Sequence, residues 1–165
     1  MQGLRSSTVV TNDLTRAIRM LGAELGDEGD SNSPDFRVDV EGTPRDLAPI
    51  VRDDVYRIAC EAVRNAFQHA QASRIEVEIQ YDQRHLRLRV HDDGKGIDPK
   101  VLEAGARAGH YGLPGLQQRA KVVGGKLTVR SEPSSGTEIE LSILASVVYT
   151  SDSERRAKFL RKSAS

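Results

Sequence analysis

Two runs of alternating apolar residues constrain the fold of this chain most strongly. They are RIEVEIQYD and HLRLRVHD, and their apolar positions are Ile75, Val77, Ile79, Leu86, Leu88 and Val90. Successive side chains of a strand point to opposite faces, so each run predicts a strand with one apolar face. Asp82 and Gln83 lie between the runs and favour a turn. The two runs therefore predict an antiparallel hairpin whose apolar face must be covered by a second layer.

Helices elsewhere in the sequence can supply that layer. The longest begins near Pro49 and repeats apolar residues at intervals of three and four: Val55, Ile58, Ala59, Ala62, Val63, Ala66, Phe67 and Ala70. Residues 12–25 predict a helix with a narrower apolar stripe, and LPGLQQRAKVVGG predicts one that begins at Pro114. FRVDVEG predicts a strand, and KLTVRSE and TEIELSIL predict a second hairpin. This order of elements predicts an α+β fold, a two-layer α/β sandwich with a mostly antiparallel sheet and helices on one face.

Three local expectations accompany this fold. On the solvent face of the first hairpin we expect Glu76 and Glu78 opposite Arg87 and Arg89, at roughly 0.2 to 1 kcal/mol per pair. Residues 26–35 are polar and rich in Gly, Ser and Asp, which predicts a flexible connection. Residues 99–111 predict a short helical or irregular lid.

Composition excludes several classes of function. Lys plus Arg equals Asp plus Glu at 24 each, so no overall field recruits nucleic acid or an anionic membrane. The single cysteine, Cys60, lies in an apolar helical run and is expected to be a packing residue. No run approaches the roughly 18 apolar residues needed to span a bilayer, and the first residues lack the apolar core of a signal peptide. We therefore expect a soluble chain.

The segment HDDGKGID, residues 91–98, places acids and glycines directly after the second strand of the first hairpin. Because Leu88 and Val90 point to the core, the next residue in phase is Asp92. A buried carboxylate is costly unless donors bond to it, so Asp92 needs a donor partner. Gly94 and Gly96 remove side-chain bulk and would let a flat ligand lie against the backbone. The amino group of adenine satisfies both conditions.

Other interpretations of this segment fit less well. An EF-hand needs a glycine at its sixth position and ligands at alternate positions, and Gly94 comes too early. A phosphate-binding loop of the Walker A type needs GxxxxGK followed by Ser or Thr, which this segment lacks. A glycine-rich turn whose aspartates only cap local structure stays open as an alternative.

A second polar pair lies on the long helix, in EAVRNAFQHA. Glu61 and Asn65 are four residues apart, so their side chains are expected to face one place. An amide oxygen suits Mg²⁺ that also holds phosphates, and a carboxylate one turn away could accept or orient a proton. The alternative is an ordinary polar helix face turned to solvent.

Taken together these segments resemble the GHKL, or Bergerat, ATPase domain that sensor histidine kinases share with gyrase, MutL and heat-shock chaperone ATPases. EAVRNAFQHA is similar to the N box, DDGKG to the adenine box, GHYGLPGLQQRA to the second glycine box and SSGTEIEL to the final GT element. The four occur in order within residues 54–144. The segments HYGLPGLQQRA and GGKLTVRSEPSSGTEIEL are most similar to those of the LuxR-type kinases with propeller and triple-tyrosine sensor regions.

The resemblance implies ATP and Mg²⁺ as cofactors and a role for each matching residue. Asp92 would accept from adenine, Gly94 and Gly96 would lie against the base, and Thr137 would support it. Asn65 would bind Mg²⁺, and Glu61 matches the catalytic base of the hydrolysing members. The remaining expected contacts to the nucleotide are His69, His110, Gly112, Leu113 and Gly115. Gly112 and Gly115 would bring backbone amides at a helix start to the phosphates.

The sequence departs from complete kinases because no histidine suits the role of phosphoacceptor. His91 and Asp92 imitate an acceptor pair but belong to the adenine box, while His69, His85 and His110 lie in the N box, the hairpin and the lid. The acceptor is therefore expected on a dimerisation domain outside this chain. We expect the end of a dimerisation helix and a linker at 1–30, the ATP-binding domain at 34–146 and a basic tail at 147–165.

The resemblance thus predicts the ATP-binding part of a histidine kinase that transfers the γ-phosphoryl group to that histidine. Its expected partners are its own dimerisation domain and a response regulator, without nucleic acid. The full-length protein is expected to be a membrane-anchored homodimer, with this domain on the cytoplasmic side of the inner membrane. An anti-sigma-factor-like serine kinase and a nucleotide-sensing module without chemistry are the alternatives.

Overall fold

The computed structural model describes residues 14–26, 29, 31–69, 71–97, 100, 113–149 and 160–164. Its elements are α1 (Leu14–Leu25), β1 (Asp35–Glu41), α2 (Pro49–His69), β2 (Arg74–Tyr81), β3 (His85–Asp92), α3 (Leu113–Val122), β4 (Gly125–Glu132), β5 (Gly136–Leu144) and α4 (Ala145–Val148). These elements follow the predicted order. The expected lid at 99–111 lies outside the described residues except for residue 100.

Within the described residues, five strands form one sheet in the order β1-β2-β3-β5-β4. β1 and β2 are parallel, and the other three neighbouring pairs are antiparallel. Parallel neighbours need a long crossover, and α2 supplies it between β1 and β2. The predicted α+β sandwich with a mostly antiparallel sheet is confirmed.

The core lies between the inner face of the sheet and the helices. Along β2 and β3 buried and partly exposed residues alternate, as the sequence period predicts. α2 buries its wide apolar face, including Val55, Ile58 and Val63, and Cys60 is buried in the same cluster. The packing that fixes α2 against the sheet therefore also fixes the residues at the carboxyl end of β3.

Helix α1 packs against the same core. Leu14, Ile18 and Leu21 belong to the buried cluster. At Gly22 the approach is so close that an added Cβ would lie 2.1 Å from the ring of Phe36, and that ring pairs with Phe67 of α2 at 5.7 Å between centroids. Burial also continues beyond β5, since Val148 and Tyr149 are almost fully enclosed.

The charge pattern on the outer face of the first hairpin is confirmed only in part. Arg89 lies opposite Glu78, bonds to it, and reaches Glu138 of β5 at 3.3 Å. Glu76 lies opposite His91, however, and Arg87 lies opposite a glutamine. The turn sets this register. In it, Asp82 Oδ1 accepts hydrogen bonds from the backbone N–H groups of Arg84 and His85.

Among the residues that the structure describes, no helix combines the length and the apolar character that a bilayer crossing requires.

Candidate functional site

The carboxylate of Asp92 continues the buried row of β3, as the strand period predicts. Asp92 is only 4% exposed to solvent. The backbone N–H of Gly94 donates to Asp92 Oδ1 at 2.9 Å, and Thr137 adds a backbone hydrogen bond from the neighbouring strand. Burial nevertheless raises the pKa of Asp92 above its ordinary value, and these two bonds offset the rise only in part. Asp92 is an inward-facing acceptor with unused capacity, because an ionised carboxylate has about four acceptor positions.

The neighbouring acid, Asp93, has a structural role. Its Oδ1 accepts the backbone N–H groups of Ser73 at 2.8 Å and Arg74 at 2.9 Å. Its own N–H donates to the carbonyl of Arg74 at 3.3 Å. Asp93 therefore anchors the loop to the start of β2, and the two adjacent acids separate into one that holds the loop and one that faces inward.

Asp92 faces a cavity between α2 and the sheet. The cavity holds about 420 Å³ including its open mouth. Its lining residues are Ala62, Asn65, Ala66, His69, Val90, Asp92, Gly96, Ile97, Leu113, Thr137 and Ile139. The two alanines leave space beside the helix, and the larger apolar side chains form walls. A few polar groups converge on an apolar space, which is the usual composition of a binding site.

A hydroxyl network supports the wall of the cavity opposite α2. Thr137 is 9% exposed, and its Oγ1 lies 2.8 Å from Ser131 Oγ. Ser131 Oγ also accepts the N–H of Ile97 at 2.6 Å and lies 3.2 Å from the carbonyl of Gly136. One serine thus connects the loop after β3 with both strands of the second hairpin.

Two glycines allow the loop after β3 to approach the β4–β5 turn. Gly96 has φ +74°, and a Cβ there would lie 2.1 Å from the carbonyl oxygen of Glu132. Gly136 has φ +96°, and a Cβ there would lie 1.9 Å from the carbonyl oxygen of Asp92. Both positions favour glycine for its conformation and for the space that it leaves. Gly96 lines the cavity as well, so its expected place beside a ligand is compatible with this packing.

The structure does not bring Glu61 into the cavity that Asn65 lines. Glu61 lines a wider cleft between α2 and α3, together with Arg57, Arg64 and Gly115. Leu113 lines the cavity of Asn65, whereas Pro114, Gly115 and Leu116 line the cleft of Glu61. That Glu61 and Asn65 act at one place, and that Glu61 acts as a base, stay predictions.

The other expected site residues lie in four places. His69, Gly96, Leu113 and Thr137 line the cavity with Asp92, whereas Gly94 bonds to Asp92 from beside it. Gly115 belongs to the neighbouring cleft, and of the described atoms none lies within 4 Å of a Cβ added there. His110 and Gly112 lie outside the described residues.

Sequence reasoning missed Ser131 and Ile97. Ser131 had a detectable signal, because it continues the alternation of Leu127 and Val129 along β4 just as Asp92 continues that of β3. Ile97 had none, since its backbone N–H contributes the bond and its position depends on how the loop folds back.

Comparison with known proteins agrees with this geometry. Residues 50–146 match the family described as histidine kinase-, DNA gyrase B-, and HSP90-like ATPase. The chain belongs to this ATPase family. Membership implies that the domain binds ATP, and the cavity beside Asp92 combines apolar walls with a few polar groups.

Three curated relatives of this ATPase domain have names that describe sensors. Sensor histidine kinase LiaS of Bacillus subtilis (strain 168) is 35% identical over 121 residues, which cover 73% of this chain and 32% of that protein. Sensor histidine kinase YdfH of the same organism is 37% identical, covering 55% and 22%. Sensor protein VraS of Staphylococcus haemolyticus (strain JCSC1435) is 34% identical, covering 55% and 25%. The chain spans about a third or less of the length of these relatives.

Solved structures share the fold of the ATPase domain. The histidine kinase domain from Erythrobacter litoralis EL346 blue-light activated histidine kinase gives a TM-score of 0.62 at 23% identity, covering 81% of this chain and 59% of that one. Full-length ShkA in complex with AMPPNP gives 0.65 at 19% identity, covering 84% and 31%. At these identities the likeness establishes the fold alone.

Proposed function

We propose that this chain is the ATP-binding catalytic domain of a sensor histidine kinase, in which the γ-phosphoryl group of ATP passes to a histidine on a dimerisation domain. The observation that carries the proposal is the buried carboxylate of Asp92 facing a cavity that Asn65 lines from the opposite side. The names of the curated relatives support the kinase class.

In this proposal the adenine base occupies the cavity. Asp92 accepts a hydrogen bond from the 6-amino group, and Thr137 meets a ring nitrogen from the same wall. Val90, Ile97 and Ile139 give the base apolar contact, and its flat shape suits the narrow space beside Ala62 and Ala66. A hydrogen bond to a charged acceptor contributes roughly 1.5–3 kcal/mol, so Asp92 supplies the strongest polar contact to the base.

Asn65 is the residue that would hold Mg²⁺ together with the phosphates. Among the described residues, no group of three or more His, Cys, Asp or Glu side chains could hold a metal by itself. Mg²⁺ in nucleotide sites usually keeps several waters and takes substrate oxygens beside one or two protein ligands, so a single amide oxygen fits its needs. When bound, the ion would neutralise phosphate charge. Asn65 would fix the position of the phosphates relative to the base.

The start of α3 is the proposed contact for the phosphates. Backbone N–H groups at a helix start favour anions. Replacing Gly115 with Ala should leave the nucleotide-free domain as stable or up to about 1 kcal/mol more stable, because alanine is the better helix former. The same change should weaken ATP binding several-fold, since the methyl group enters space that is open in the structure. Calorimetric titration and urea unfolding measure the two effects, and unchanged ATP affinity would remove Gly115 from the phosphate site.

Phosphoryl transfer is tested by adding the missing acceptor. The ATPase chain is mixed with the dimerisation domain of its own full-length protein and with ATP labelled at the γ-phosphate. Acid-labile label on a histidine of that domain is expected, and Asp92→Asn in the ATPase chain should abolish it at low ATP. Label on a serine would favour an anti-sigma-factor-like kinase. Tight binding of ATP without transfer would favour a sensing module.

The setting of the domain in a longer protein is part of the same proposal. We place it in a LuxR-type, membrane-anchored homodimer, on the cytoplasmic side of the inner membrane, with a response regulator as the next acceptor. The expected division into residues 1–30, 34–146 and 147–165 belongs here as well. Support comes from the sensor names of the relatives and from the small share of their length that this chain covers.

A further inference from the structure

The hydroxyl of Ser131 has more hydrogen-bonding neighbours than it has hydrogens. A serine hydroxyl donates one hydrogen and accepts through two lone pairs. The N–H of Ile97 must donate to it, because a backbone amide cannot accept. The carbonyl of Gly136 can only accept from it. The hydroxyl of Thr137 can do either, so the direction of the bond between Ser131 and Thr137 is not fixed by the heavy atoms.

Two arrangements of the hydrogens satisfy these distances. In the first, Ser131 donates to the Gly136 carbonyl and Thr137 donates to Ser131, so that Thr137 offers only lone pairs to the cavity. In the second, Ser131 donates to Thr137, and Thr137 has its own hydrogen for a ligand. The second arrangement gives up the longer contact of 3.2 Å to Gly136 and keeps the shorter one of 2.8 Å between the hydroxyls. A ligand that accepts from Thr137 can replace the bond that is lost.

We propose that Ser131 is a positioning residue for base binding: with Thr137 it forms a hydroxyl pair whose hydrogen bond reverses, so that Thr137 meets a purine ring nitrogen as donor or acceptor. This inference rests on the proposed nucleotide site. Asp92 alone then selects between purines with a 6-amino group and purines with a 6-carbonyl group, because a carboxylate accepts from an amino group and repels a carbonyl oxygen. The chemical class that the pair serves is therefore any purine nucleoside triphosphate, and the preference for adenine comes from the acid.

Adenine and hypoxanthine separate these two roles. Adenine has a bare ring nitrogen next to its 6-amino group, whereas hypoxanthine has a hydrogen on that nitrogen next to a 6-carbonyl. The pair would donate to the first and accept from the second. Loss of Ser131 should therefore weaken ATP and ITP by the same factor, because Thr137 is no longer held but can still rotate either way.

The test is a double-mutant cycle on nucleotide binding by the 165-residue chain. Ser131→Ala should weaken ATP binding about fivefold, the size of one neutral hydrogen bond, and should change ITP equally. Thr137→Val should weaken ATP binding at least as much, and the double variant should bind no worse than Thr137→Val alone. Ser131→Thr keeps the hydroxyl and should restore affinity. Ser142→Ala, on the outward face of β5, is the matched control and should bind as the wild type does.

Each outcome decides between distinct conclusions. Additive losses in the double variant, a changed ratio of ATP to ITP affinity in Ser131→Ala, or unchanged ATP binding in that variant would each overturn the inference. If Ser131→Ala fails to fold, Ser131→Cys keeps the shape of the side chain with a slightly larger atom and a weaker hydrogen bond, and is held to the same expectations. If Asp92→Asn and Thr137→Val both bind ATP as the wild type does, the nucleotide site itself is misassigned.

Discussion

Replacing Asp92 with Asn should weaken ATP binding about tenfold or more while leaving the nucleotide-free domain at least as stable as the wild type. Affinity falls because the variant loses a charged acceptor, worth roughly 1.5–3 kcal/mol for one hydrogen bond. Stability is kept because the carboxylate is buried and asparagine can still accept from the N–H of Gly94. Calorimetric titration and urea unfolding measure the two effects. Equal ATP affinities, or a clear loss of stability, would contradict the role given to this residue.

The same variant has a signature in pH. The pKa of Asp92 is higher in the folded chain than in the unfolded chain, because burial disfavours the charged form. Folding therefore takes up a proton at pH values between the two pKa values, and wild-type stability is lost as the pH rises through the folded pKa. The excess stability of Asp92→Asn should shrink as the pH falls through that pKa. An excess stability of Asp92→Asn that stays constant across this pH range would contradict the burial of the carboxylate.

Replacing Gly136 with Ala should destabilise the domain by about 3 kcal/mol and abolish measurable ATP binding. The added Cβ would meet the carbonyl oxygen of Asp92 at 1.9 Å, and the backbone there has φ +96°. Because the Cβ is held rigidly by its own backbone and the carbonyl belongs to the backbone of β3, the end of β3 must shift and move the carboxylate away from the cavity. Urea unfolding and ATP titration measure the two losses.

Gly124 provides the matched control for that change. It also has a positive φ, +71°, but the nearest described atom to an added Cβ is a Val147 methyl group at 3.6 Å. Gly124→Ala should therefore cost only the conformational strain, about 1–2 kcal/mol, and leave ATP affinity intact. If Gly136→Ala were no less stable than Gly124→Ala, the contact between the turn and the end of β3 would not matter for the fold.

Local periodicity predicted the elements and the direction of the key acid, because both depend on residues close in sequence. Asp92 continues the alternation of β3, and that alone places its carboxylate inward. The register of the hairpin was predicted less well, since Glu76 lies opposite His91 and the turn decides this pairing.

Relations between distant elements could not be read from the sequence. Glu61 and Asn65 lie one turn apart on α2, but only the packing of α3 decides that Glu61 lines the cleft beside Gly115 while Asn65 lines the cavity of Asp92. The same holds for Ser131, whose position along β4 was predictable but whose bond to Ile97 depends on the folded loop.

Helix α1 packs closely on the sheet, and this packing limits how the domain can move within a longer protein. Gly22 lies against the Phe36 ring, and Ile18 is fully enclosed, so α1 cannot swing without opening the core. α1 and β1 thus belong to one packed body. Any motion of the whole domain relative to a partner would therefore carry α1 along with the nucleotide site.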